Sequence, residues 1–211
     1  MKKSLKEIRK EYIKGSISIS TTPANPIELL EIWLQEAIEA QVEEPTAMTL
    51  STVSIDNFPS SRVVLLKEIT KEGLVFFTNY HSQKGREIAV NPNVSINFFW
   101  PELERQVRVQ AMAEKLLSEE SDEYFYSRPL ASQAGAIVSN QSRVIEESLN
   151  LEAQVEALLK QESPLVRPEN WGGYLLVPKY CEFWHGKPSR VHDRVAFNKS
   201  NYEWQKSRLS P

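Results

Sequence analysis

The sequence predicts a mainly β protein with inserted helices, its mostly antiparallel strands built around a barrel. Three observations carry this. Strand-like runs recur at short spacing with turn residues between them, helical stretches interrupt the runs without alternating with them, and 211 residues suit a single domain. A chain of this length hides roughly 70% of its unfolded surface on folding, so it needs no disulfide or metal to hold together.

Taken in order, residues 4–14 mix basic, acidic and apolar side chains at helical spacing up to Gly15. The Ser/Thr/Pro-rich stretch Ser16 to Pro26 reads as a surface linker, which sets 1–25 apart from one domain over 26–211. Asn25 is a natural cap and Pro26 a natural first residue for a helix running to about Val42, with Leu30, Trp33, Leu34, Ala37 and Ile38 as its apolar stripe. Strands follow over Ala47 to Ile55, Ser60 to Ile69 and Leu74 to Asn79, with turns at Asp56-Asn57 and Lys71-Glu72-Gly73. Because Val63 to Leu66 is apolar on both faces, the second of these is expected to be a central strand. A helix over Ser82 to Asn91 stops at Pro92, and strands are expected at Val94 to Trp100 and Arg105 to Leu117. Helices are expected over Glu119 to Ser127, Ala131 to Val138 and Ile145 to Gln161. Strands return at Trp171 to Val177, Tyr180 to Trp184, Arg194 to Asn198 and Tyr202 to Lys206.

Composition narrows the function. Lys and Arg total 25 against 28 Asp and Glu, a net charge of −3, which argues against a broadly basic nucleic-acid face but allows a local basic pocket. The single Cys181 permits no internal disulfide, reads as a small core residue, and suits a reducing compartment. No apolar run approaches a membrane span, and the charged start lacks the apolar core of a signal peptide, so a cytoplasmic protein is expected. Seven glycines, under half the usual ~7%, form no phosphate-cradling loop. Any phosphate must therefore be held by side chains. His81, His185 and His192 show no zinc-ligand spacing.

Several segments place polar residues where chemistry can use them. Arg62 and Lys67 flank an apolar strand core, as snorkelling ends or as paired cations on a rigid element. Thr78 to Lys84 joins a strand to a helix start where Ser82 caps and Lys84 adds charge, an ordinary cap or an anion site. Gln106 and Arg108 share one strand face opposite Val107 and Val109. Tyr124 and Arg128 are helical neighbours, and with Ser132 near the next helix start they make a phosphate cradle or a plain helix end. Ser139 to Arg143 is a polar loop. Arg190, His192 and Arg194 alternate just after Trp184, so in an extended chain they would project from one face.

Taken together, these segments resemble the pyridoxine/pyridoxamine 5′-phosphate oxidase family. The resemblance runs through Ile8-Arg-Lys-Glu-Tyr12, Arg62-Val-Val-Leu-Leu-Lys67, Glu104-Arg-Gln-Val, Tyr-Phe-x-Ser-Arg-Pro at 124–129 and Gln141-Ser142. It continues through Trp171-Gly-Gly, Glu182-Phe-Trp and Arg190-Val-His-Asp-Arg194 to the Arg208-Leu-Ser-Pro211 ending, nearly the whole chain in order.

The resemblance implies an FMN-binding split β-barrel that forms a homodimer with FMN at the subunit interface. It implies oxidation of pyridoxamine or pyridoxine 5′-phosphate to pyridoxal 5′-phosphate by hydride transfer to FMN, with O2 reduced to H2O2. Carried over by position, the cofactor group is Arg62, Val63, Val64, Leu65, Leu66, Lys67, Phe77, Thr78, Gln83, Lys84, Gln106, Gln141, Ser142, Trp184 and Arg194. The substrate group is Lys67, Tyr124, Arg128, Ser132, Arg190, Val191 and His192, with Arg9, Lys10, Glu11 and Tyr12 as a mobile segment over the site. Arg190 and His192 are the candidate catalytic residues, expected to hold the substrate ring and its oxygen substituent, with His192 placed to help move a proton though not as an essential base. Gln83 stands where many members carry a basic residue, and Phe77 replaces a common tyrosine. FMN and a vitamin phosphate together bring roughly −3 to −4 charges, which Arg62, Lys67, Lys84, Arg128, Arg190 and Arg194 are expected to offset. A flavin reductase acting on another substrate, and a non-catalytic carrier of FMN or pyridoxal phosphate, stay open as alternatives.

Overall fold

Asn25 caps the first helix as expected, its side chain accepting the Ile27 N–H at 3.0 Å, and Pro26 opens α1 (Pro26–Glu39). The computed structural model describes residues 4–7, 11–161 and 163–211. The remaining elements are β1 (Ala47–Val53), β2 (Pro59–Leu65), β3 (Glu68–Ile69), β4 (Leu74–Asn79), α2 (Gln83–Val90), β5 (Asn93–Trp100) and β6 (Arg105–Lys115). Then come α3 (Ser118–Ser127), α4 (Leu130–Val138), α5 (Leu151–Leu159), β7 (Trp171–His185), β8 (Asp193–Ser200) and β9 (Glu203–Arg208). Mostly antiparallel strands with inserted helices is the class the sequence predicts.

The strands run in the order β2-β1-β5-β6-β7-β4-β3, with β8 on β7 and β9 on β8. The pairings β3–β4, β4–β7, β7–β8 and β8–β9 are all antiparallel. Two compact units share these strands. One comprises the described residues of Met1–Thr49, Ser95–Gln110 and Pro178–Pro211; the other comprises Leu50–Val94 and Ala111–Val177. In the first, Trp33 meets Phe183 edge-on at 5.2 Å and Phe183 meets Phe197 at 5.6 Å, all buried. In the second, Phe76 stacks on Tyr174 at 5.6 Å across the β4–β7 pair, over buried Leu74, Leu176 and Phe125. Full burial of side chains this large stabilises by about 2–3 kcal/mol each.

Several boundaries differ from expectation for identifiable reasons. A 3-10 turn spans Leu5–Glu7, but from Glu11 the chain is not helical: the Ile13 and Lys14 N–H groups donate to Glu104 and not to carbonyls one turn back. The Ser60 to Ile69 run breaks at Leu66-Lys67, where the Lys67 N–H donates to Val75 O at 2.8 Å and β3 pairs with β4. Its first half, β2, ends the strand order and is no central strand; Val63 is 63% exposed. The helix expected from Ile145 starts only at Leu151, where the Asn150 side chain accepts the Ala153 N–H at 2.8 Å. Trp171 to Trp184 is one strand, running through Pro178. Arg190, His192 and Arg194 do not share an extended face, because Pro188–Arg190 is a tight turn with Ser189 and Arg190 at φ 56° and 62°. Cys181 is buried, and burial pushes its thiol up to about 12.

Candidate active site

The second unit contains a cavity of about 700 Å³, within the usual range for a small-molecule site. Strand β2 with the Lys67 bend supplies Val63, Val64, Leu65 and Lys67, and the end of β4 supplies Phe77, Thr78 and Asn79. Lys84 enters from the first turn of α2, where Ser82 accepts the Gly85 N–H at 3.3 Å and so fixes the helix start. The corner between α3 and α4 brings Tyr124, Arg128 and Ser132, and the following loop Ser139 and Gln141. Trp171 opens β7 opposite Asn79.

Two polar clusters occupy this cavity. At one, Lys84 Nζ donates to Gln141 Oε1 at 2.9 Å and Thr78 Oγ1 at 3.1 Å, and lies 3.4 Å from Ser82 Oγ. Burial, then the nearby Arg62 cation, pulls its pKa down to about 8. Among the described residues, Lys84 Nζ is hydrogen-bonded only to neutral oxygens, so a buried cation with no carboxylate partner faces the cavity and suits an anion there. At the other, Arg128 lies over the Trp171 ring at 4.7 Å, and its Nη1 is buried with no hydrogen-bond partner among the described residues. Burial works against this guanidinium's charge, with Tyr124 acting the other way. Phe77 stacks on Tyr124 at 3.9 Å and on Trp171 at 5.7 Å, so the cavity also has an aromatic wall.

The cavity does not gather every expected residue of this unit. Arg62 turns into a network beneath β2: Nη1 donates to Thr52 Oγ1 at 2.6 Å, Nη2 to Ser60 Oγ at 2.8 Å and to Glu87 Oε2 at 3.2 Å. Thr52 and Ser60 hydroxyls also donate to Glu87 Oε2, and Gln83 Nε2 donates to Oε1 at 2.9 Å. Burial acts to raise the pKa of Glu87, but these hydrogen bonds outweigh it and hold the carboxyl at about 2. Gln83 therefore completes a carboxylate's hydrogen bonds and does not line the cavity. Leu66 is buried, and Ser142 is exposed at φ 67°.

The first unit holds the other expected residues. Trp184 and His192 rings lie 4.7 Å apart, and Tyr12 meets them edge-on at 5.5 and 5.6 Å. The His192 Nδ1 accepts the Lys187 N–H at 3.1 Å, so its neutral ring carries the proton on Nε2. Burial, then Arg190, lowers its pKa. Arg190 and Val191 are exposed, as is Glu11, and Gln106 is half-buried on β6. Arg194 is no open cation: Glu182 Oε1 accepts from its Nε at 2.9 Å and from Nη2 at 2.8 Å, and Ser210 O accepts from Nη1. With Arg62 similarly paired to Glu87, the set of cations expected to offset the ligands' charge is reduced. Arg9 and Lys10 lie outside the described residues.

Sequence reasoning missed four contributors. Asn79 and Trp171 line the cavity, Glu87 organises Arg62, and Arg167 clamps Trp171 O at 2.5 Å while pairing with Asp122 at 2.7 Å. The Trp171-Gly-Gly motif is the only one of these with a visible signal in the sequence.

Residues 34–162 match the family model described as pyridoxamine 5′-phosphate oxidase, and residues 171–211 match one described as the pyridoxine 5′-phosphate oxidase C-terminal dimerisation region. The chain is 50% identical over 209 residues to the pyridoxine/pyridoxamine 5′-phosphate oxidase of Mannheimia succiniciproducens, covering 98% of this chain and 99% of that protein. It is 52% identical to the Haemophilus ducreyi protein of the same name, with the same shares covered. PhzG from Burkholderia lata, solved with tetrahydrophenazine-1-carboxylic acid, superposes with a TM-score of 0.88 at 32% identity over 93% of this chain and all of its own. These likenesses extend over both units, and the chain belongs to the pyridoxamine 5′-phosphate oxidase family.

Proposed function

We propose that this protein oxidises pyridoxamine or pyridoxine 5′-phosphate to pyridoxal 5′-phosphate, using FMN as resident cofactor and O2 as final acceptor, released as H2O2. The observation that carries the reading is the buried, unpartnered Nη1 of Arg128 in a cavity that also holds Lys84 with neutral partners. An orphaned guanidinium donor costs free energy unless a ligand oxygen meets it.

The residues present fit FMN. Lys84, Thr78 and Gln141 offer a cation and polar atoms for its phosphate, with the Arg62 charge behind them. Val63, Val64 and Leu65 give the cavity an apolar side. When bound, FMN supplies a two-electron acceptor for the carbon that becomes the aldehyde, and passes the electrons to O2. Arg128, Tyr124, Ser132 and Lys67 hold the substrate phosphate as a fork, two hydroxyls and an ammonium. Arg190 and His192 orient the substrate ring. With Nδ1 already accepting a main-chain N–H, His192 presents Nε2–H as a donor to a ring oxygen, so its part is orientation and not proton abstraction.

The family's dimerisation region and the exposed Val63 and Leu65 on β2, which also line the cavity, support a homodimer with FMN at the subunit interface. Arg128→Ala tests the reading. Purified protein with FMN bound should release peroxide on adding pyridoxamine 5′-phosphate, and the variant should keep its FMN while KM rises about tenfold or more. An unchanged KM would remove Arg128 from the substrate site.

A further inference from the structure

The stretch from Glu11 to Gly15 is tied down by a side chain, Glu104, that the site described above does not use. Glu104 ends the turn between β5 and β6 and is 1% exposed. Its Oε2 accepts the Ile13 N–H at 2.7 Å and the Lys14 N–H at 2.9 Å, while its own carbonyl accepts the Gly186 N–H at 2.8 Å. The same residue thus ties the N-terminal segment to the chain that follows Trp184. Tyr12 lies directly on Gly186, where a Cβ would come within 2.6 Å of its ring, and Gly15 passes His185 closely, a Cβ there standing 3.1 Å from Nε2. From that seat the Tyr12 ring contacts Trp184 and His192 edge-on.

A turn alone does not ask for glutamate at position 104. Its φ of 57° is left-handed, where glycine is strain-free and other residues cost roughly 1 kcal/mol. A buried carboxylate adds a desolvation cost that hydrogen bonds must offset. Charge-assisted bonds from two successive main-chain N–H groups to the carboxylate help offset both costs.

We propose that Glu104 is a positioning residue: it latches residues 11–15 so that the Tyr12 ring is held against His192 and Trp184, closing that side of the substrate site. This rests on the reading of His192 and Arg190 as substrate-holding residues. Glu104→Gly keeps the left-handed turn and removes the latch, whereas Glu104→Gln keeps an acceptor.

The FMN-loaded full chain should be compared in two assays. One is trypsin cleavage after Lys14, followed by mass; the other is KM and kcat for pyridoxamine 5′-phosphate. Glu104→Gly should speed that cleavage and raise KM, each about five- to tenfold, with kcat and FMN content little changed and Glu104→Gln in between. Tyr12→Ala should raise KM as much, and the double variant no further. Unchanged cleavage, or faster cleavage with unchanged KM, would overturn the proposal. If Glu104→Gly does not fold, Glu104→Gln and Tyr12→Ala decide it by the same two readouts. Absence of turnover in the wild type would instead count against the functional reading, while the cleavage assay still decides whether the latch exists.

Discussion

Lys84 shows how much a single residue's chemistry depends on neighbours remote in sequence. In sequence it offers either an ordinary capped helix start or an anion site, because it follows a capping serine at a strand-to-helix junction. Its Gln141 partner is 57 residues away, and its lowered pKa depends on burial and on Arg62. A folded value of about 8 against 10.5 means that the ammonium deprotonates earlier in the empty protein, and a phosphate dianion opposes that. FMN affinity should therefore fall as pH rises from about 8 to 9.5, with proton uptake on binding. Lys84→Met should bind FMN more weakly and lose this slope; fluorescence titration across pH checks it, and an unchanged slope would exclude Lys84. Arg190 makes a different demand. The sequence pattern puts it on one extended face with His192 and Arg194 and the resemblance makes it a substrate residue, but it is exposed in a turn at 188–190 that depends on a left-handed Ser189 no strand pattern announces. Arg190→Ala should retain FMN but lower kcat/KM at least about tenfold in steady-state assays.

At the scale of elements, helices with caps and strands bounded by turn residues were readable, and β4 matches its expected span. What was not readable is which element each polar residue ties to another. Glu87 looks like a solvated helix position, yet it is 8% exposed and joins β1, β2 and α2 through Thr52, Ser60, Arg62 and Gln83. Hydrophobic periodicity carries no information on such long-range pairs. Because its carboxyl sits near 2 in the folded protein against 4.5 ordinarily, the stabilisation is full above about pH 4.5 and is lost as pH falls toward 2. Glu87→Gln should be about 2–3 kcal/mol less stable than wild type at pH 7, with the gap narrowing at pH 3, in urea unfolding. A gap independent of pH would contradict the ionised network.

For the whole molecule, the sequence read the fold class correctly but misplaced Val63 to Leu66. An apolar strand looks central in one chain, yet β2 ends the strand order, with Val63 63% exposed and Phe58 74% exposed. An apolar pattern on both faces does not by itself tell a buried central strand from an end strand whose apolar side chains stay exposed in the single chain. Val63→Asp should yield a monomer by light scattering and lose FMN together with it; a dimer that keeps its flavin would show that β2 is not at the interface. If charged and hydroxyl side chains hold two phosphates side by side, turnover depends on the phosphate ester of the substrate. The most direct test compares the flavin-loaded protein acting on pyridoxamine 5′-phosphate and on unphosphorylated pyridoxamine, measuring aldehyde and peroxide together. Equimolar aldehyde and peroxide from the ester, with kcat/KM at least about a hundredfold lower for the bare vitamin, is the predicted result. Equal rates for the two, or no aldehyde from either, would contradict it.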